Sequence, residues 1–75
     1  MKKDKYLIHD VYHVTKNLEI MEGVAELKKI IKYSIESGER NKKNYTEKDI
    51  KDCINYFERI RMIKQVRKEE YVCLN

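Results

Sequence analysis

The periodicity of apolar residues changes once, near the end of the chain, and that change constrains the fold more than any other feature. Ile50, Ile54, Phe57 and Ile60 recur at intervals of three and four residues behind Thr46, which is the spacing of one face of an α-helix. Directly afterwards "MIKQV" and "YVCL" are short runs of strand-forming residues on either side of Arg67-Lys68-Glu69-Glu70. The hydroxyl of Thr46 can cap the helix, and Asp49, three residues on, can complete a reciprocal capping box. The spacing therefore predicts a helix over 46–61 that runs straight into a two-stranded hairpin over 62–66 and 71–74.

Two further helices precede it. Leu7, Val11, Val14 and Leu18 recur at i, i+4, i+7 and i+11, which places them on one face of a helix over Asp4 to Asn17. Ile20, Val24, Leu27, Ile31 and Ile35 keep helical register over 20–37, with Gly38 standing where a left-handed cap would stop the helix and Gly23 able to break its first turn. The chain has no proline, and "ERNKKN" carries no apolar side chain, so this stretch reads as a solvated loop. The expected fold is mainly α with a C-terminal β-hairpin, in a single domain over 1–75. A domain of this size buries only about 60% of its unfolded surface, so dimerisation is an expected means of covering more of it.

A four-residue hairpin loop, Arg67 to Glu70, sets Val66 opposite Tyr71, Lys64 opposite Cys73, Gln65 opposite Val72 and Ile63 opposite Leu74. On that register Ile63, Val72 and Leu74 form a lid on the core, and Cys73 points away from Cys53. The two cysteines have no C-x-x-C neighbour and are expected to be reduced thiols.

A helix that ends in "FERIRMIKQV", enters a strand directly, turns through basic residues and returns as "YVCL" resembles the recognition helix and wing of winged-helix proteins. The resemblance covers Thr46 to Leu74 and rests on apolar spacing. It implies a DNA-binding domain in which the third helix enters the major groove and the wing meets flanking backbone. Either Glu22 to Glu36 plays the preceding helix and Asp4 to Asn17 the first, or the middle helix is missing and residues 1–18 are an additional, dimerising element. Arg61 stands where a glycine is common between recognition helix and wing.

On the outer face of the third helix Lys48, Asp52, Asn55 and Arg59 form one stripe with Lys51 beside it. Asparagine and arginine can read base edges and lysines can hold phosphates, while Asp52 works against a nearby phosphate. On the hairpin, Lys64, Arg67 and Lys68, supported by Arg40, Lys42 and Lys43 of the loop, could meet phosphates; Glu69 and Glu70 dilute that field. Lysine and arginine number 17 against 13 acidic residues, a net charge of +4, which permits a nucleic-acid partner without requiring one.

Other chemistries find less support. His9 and His13 lie at i, i+4, a spacing that can seat a metal on one helix face, but no third and fourth ligand is spaced to join them, so no metal or other cofactor is expected. No glycine-rich phosphate loop, nucleophile motif or isolated carboxylate pair suggests an enzyme. No apolar run approaches the roughly 20 residues needed to span a bilayer, and "YLIHDVYHV" is too polar for a signal-peptide core, so the expected location is cytoplasmic and off the membrane. Tyr6, Tyr12 and Tyr33 beside the aliphatics of the first helices favour packing or a protein interface.

Two functions are thus expected. One is a small, dimeric transcriptional regulator that binds double-stranded DNA through Lys48, Lys51, Asn55, Arg59, Lys64, Arg67 and Lys68. The other is a protein-binding winged helix, joined to a second copy or a larger partner through the N-terminal helices, that serves as an accessory or inhibitory subunit of a replication or transcription complex of a virus or mobile element.

Overall fold

The structure, a computed structural model, describes residues 5–74. Elements follow in the order α1 (Lys5–Glu22), β1 (Ala25–Glu26), α2 (Leu27–Arg40), α3 (Glu47–Arg59), β2 (Ile63–Arg67) and β3 (Glu70–Cys73). The protein is mainly helical, with a small antiparallel sheet in the order β1-β3-β2.

The expected N-terminal helix exists but is longer than its apolar spacing suggested, continuing through Ile20 and Met21 to Glu22. Its expected start at Asp4 lies outside the described residues. Gly23 ends it: its N–H donates to the Glu19 carbonyl at 2.7 Å and its φ is +89°, a left-handed conformation that costs glycine nothing. The helix expected over 20–37 is therefore divided. Ile20 belongs to α1 and is exposed, Ala25 and Glu26 form a strand, and α2 begins only at Leu27.

Gly38 is not the stop of α2. It lies buried inside the helix, where the ring of Tyr45 packs so closely that a Cβ at position 38 would lie 2.5 Å from Tyr45 Cδ2. The helix closes two residues later. Lys43 N–H donates to the Gly38 carbonyl, and Lys42 N–H to the Glu39 carbonyl, with Lys42 left-handed at φ 59°. The same closure ends α3, where Met62 N–H donates to the Phe57 carbonyl and Arg61 to that of Glu58, with Arg61 at φ 63°. This turn lifts Ile60 out of the core, contrary to its expected inward position, and leaves it exposed.

The capping box at the start of α3 is formed in full: Asp49 N–H donates to Thr46 Oγ1 at 3.1 Å and Thr46 N–H to Asp49 Oδ2 at 2.9 Å. Ile50, Cys53, Ile54 and Phe57 then bury one face of the helix. They meet Leu7, Val11 and Leu18 of α1, Ala25 of β1, Ile30 of α2, and Ile63 and Tyr71 of the hairpin in one core. Tyr12 meets the edge of Phe57, ring centres 5.7 Å apart.

The hairpin differs from its expected register by one residue over most of its length. Ile63 pairs with Cys73, Lys64 with Val72 and Gln65 with Tyr71; an irregularity at Val66 then brings Arg67 opposite Glu70. The loop is the two-residue tip Lys68-Glu69, with Glu69 at φ 60°. Opposed residues share a face, so Ile63, Tyr71 and Cys73 turn inward, while Leu74, expected in the lid, is exposed. Cys73 thus faces inward rather than outward, and no disulfide joins it to the buried Cys53.

Candidate nucleic-acid interface

Because α3 commits one face to the core, its opposite face must meet solvent. Lys48, Lys51, Asn55 and Arg59 are all exposed there, within an arc of about 80° at 3.6 residues per turn, with the half-buried Asp52 at its edge next to Arg59. The structure thus brings the four expected residues of α3 together. Lys51 is not idle: its Nζ lies 2.8 Å from Glu47 Oε2, and this hydrogen bond, followed by the glutamate's charge, raises its pKa. Lys48 and Asp52, spaced for a similar pair, form no ion pair among the described residues.

The hairpin places Lys64, Arg67 and Lys68 in solvent. Its tip, however, is not held away from the body. Leu27 N–H donates to the Glu69 carbonyl at 2.8 Å, and β1 pairs with β3 as far as Glu26 opposite Glu70. Across the outer side of the sheet Arg67 opposes Glu70, which in turn opposes Glu26, so the arginine stands at the end of a row containing two carboxylates. Like charges directly opposed across strands are unfavourable. This placement of Glu26 could not be foreseen without β1.

The tip and α3 share a cleft of about 290 Å³ lined by Leu27, Lys28, Ile31, Glu47, Lys51 and Glu69. Lys28, exposed in the first turn of α2, is the cation that sequence reasoning missed. Its signal was hidden because residues 20–37 read as one continuous helix, which put Lys28 in the middle of a helix rather than at an end beside the hairpin. Lys28 also lines a shallow depression with Lys68, Glu26 and Glu70.

Two of the basic residues expected to support this surface, Arg40 and Lys43, lie against α1 instead. Arg40 ends α2 twelve residues after Lys28, roughly 18 Å along the helix. There it lines a groove of about 390 Å³ against α1 with His9, Asp10, Val14, Met21 and Tyr33. Lys43 Nζ lies 4.6 Å from the centre of the Tyr6 ring. The two histidine rings lie tilted against each other at 46° with centres 4.3 Å apart, but among the described residues no group of three or more His, Cys, Asp or Glu side chains is placed to hold a metal ion. Also among the described residues, no helix is long and apolar enough to cross a membrane.

Comparison with known protein families, curated proteins and solved structures finds no match to this chain.

Proposed function

We propose that the protein is a small winged-helix DNA-binding regulator that lays the outer face of α3 into the major groove of duplex DNA. The observation that carries the proposal is the exposed stripe of Lys48, Lys51, Asn55 and Arg59 on a helix whose other face is locked into the core. An element order of helix, strand, two helices and hairpin is consistent with a winged helix. Arg59 and Asn55 have the donors and acceptors to read base edges, and Lys48 and Lys51 the charge to hold phosphates on either side. Lys28 and Lys68, beside the cleft, extend the basic surface toward one flank. In this reading the hairpin is a short, fastened wing that supplies backbone contacts through Lys64, Arg67 and Lys68, and α3 supplies most of the affinity.

A second reading, a protein-binding winged helix acting as an accessory subunit of a replication or transcription complex, is favoured by one observation. The cations at the hairpin tip lie among Glu26, Glu69 and Glu70, which suits a protein surface of mixed sign better than a phosphate backbone.

Titrating random duplex DNA at two salt concentrations separates the two. About four phosphate contacts would give a slope of log affinity against log salt near −3.6. Arg67→Ala with Lys68→Ala should reduce that slope modestly, and Lys48→Ala with Arg59→Ala should reduce it more. Absence of binding at low salt would leave the protein-partner reading.

A further inference from the structure

We propose that His9 and His13 form a two-imidazole chelate on α1 for a divalent first-row cation of the Ni(II) or Cu(II) type. The inference does not rest on DNA binding, and a chelate of this kind needs no third protein ligand.

A helix sets residues four apart on one side, one turn above the other. The rings of His9 and His13 accordingly meet, with centres 4.3 Å apart and planes inclined at 46°. Both side chains are exposed. Among the described residues neither imidazole has a hydrogen-bond or ion-pair partner. Each neutral ring therefore keeps one nitrogen lone pair that a metal can take.

The separation of the rings selects the kind of metal. Two imidazoles bound at about 2.0–2.1 Å leave their centres about 4.5 Å apart when the metal–nitrogen bonds meet at a right angle, and about 5.2 Å apart at the tetrahedral angle. The observed 4.3 Å lies near the first value. Right-angled positions belong to tetragonal and octahedral ions, so Ni(II) and Cu(II), which also stand high in the order of affinity for nitrogen ligands, fit the pair better than tetrahedral Zn(II). Among the described residues no third His, Cys, Asp or Glu joins the pair. Water completes the coordination from the groove of about 390 Å³ that both histidines line. Asp10 and Arg40 line the same groove with opposite charges that offset each other, which leaves the affinity to the imidazoles. Asp10 is held besides by the Tyr45 hydroxyl, which donates to its Oδ2 at 3.0 Å.

Isothermal titration of the full chain with Ni²⁺, in a buffer that does not bind metal, tests the proposal. One site is expected, weakened at least tenfold by His9→Ala and by His13→Ala while the helical circular dichroism spectrum is retained, and Zn²⁺ should bind it more weakly than Ni²⁺. Paramagnetic broadening of the backbone amide signals should begin at residues 9–13. A spacing control separates chelation from the mere presence of two histidines: His13→Ala with Lys16→His keeps two histidines on α1 but sets them seven residues apart, about 10.5 Å along the helix. It should bind Ni²⁺ no better than His13→Ala alone. Equal affinity of wild type and His13→Ala, a spaced variant as tight as wild type, broadening that begins elsewhere, or a preference for Zn²⁺ would overturn the proposal.

Discussion

The backbone N–H of Leu27 donates to the carbonyl of Glu69 at 2.8 Å, and this single bond fastens the tip of the hairpin to the first residue of α2. The hairpin is therefore a strut in the body of the protein rather than an arm extended from it. Its cations are set among Glu26, Glu69 and Glu70, and the face of α3 becomes the strongest basic element of the proposed interface.

Lys51 Nζ lies 2.8 Å from Glu47 Oε2, so on the proposed DNA-binding reading Glu47 would compete with a phosphate for Lys51. Glu47→Gln removes the competing charge. Duplex affinity should rise at low salt, and the salt slope should steepen by up to about 0.9, the contribution of one further phosphate contact. Fluorescence anisotropy at several salt concentrations measures both. Unchanged binding would mean that Lys51 does not meet a phosphate.

Gly38→Ala would ordinarily strengthen a helix by about 1 kcal/mol. Here the new methyl group meets the Tyr45 ring, which is half-buried and whose hydroxyl donates to Asp10 Oδ2 at 3.0 Å. Overpacking of this kind typically costs about 1–3 kcal/mol, so a net loss of stability is expected in urea denaturation. Truncating the ring in the same chain, with Tyr45→Ala, should make the Gly38→Ala change favourable or neutral.

Arg61 closes α3 at φ 63°, where a side chain is strained and glycine is not. Arg61→Gly should stabilise the protein by about 0.5–1 kcal/mol, since relief of the left-handed strain exceeds the entropy glycine adds to the unfolded chain. A lower midpoint of thermal unfolding for the variant would contradict the assigned cap.

Beyond the end of β1, the Cys73 N–H is taken by a side chain instead of a strand, donating to Glu19 Oε1 at 2.9 Å. Burial, then the thiol's hydrogen bond to Glu19 and the charge of that carboxylate, push the Cys73 pKa up to about 11, against an ordinary value of 9.0; Lys16 and Tyr12 oppose the shift. The folded state thus binds the thiol proton more tightly than the unfolded chain does. Its contribution to stability is complete below pH 9 and is lost as the pH rises through about 11. Tyr71, raised chiefly by burial, acts in the same direction, so the Cys73 part is read as a difference: wild type should lose more stability than Cys73→Ala between pH 9 and 11. At pH 8 Cys73 should react with iodoacetamide more slowly than free cysteine, and Glu19→Gln should accelerate it.

The sequence made α3 legible because its cap, its apolar spacing and its tertiary role agree. The second helix misled for a local reason. Ile20, Val24 and Leu27 keep helical spacing straight across the break at Gly23, and the two-residue strand Ala25–Glu26 that follows it is defined by pairing with Tyr71 and Glu70 far along the chain. A two-residue strand has no periodicity to read. The hairpin register failed similarly: the irregularity at Val66 shortens the loop and shifts the inner pairs by one, which turns Cys73 inward and leaves Leu74 outside. For the site, the α3 stripe could be read from 3.6-residue spacing alone. The fastening of the tip, the row from Arg67 to Glu26 and the participation of Lys28 all depend on β1 and became visible only with it.

The most direct measurement of the DNA-binding account is the map of backbone amide shifts in an NMR titration of the protein with a short duplex at low salt. Shifts concentrated at Lys48, Lys51, Asn55 and Arg59, extending to Lys28 and Lys68 and weaker at Lys64 and Arg67, are the predicted result. Shifts confined to α1, or an unperturbed spectrum at saturating duplex, would contradict it.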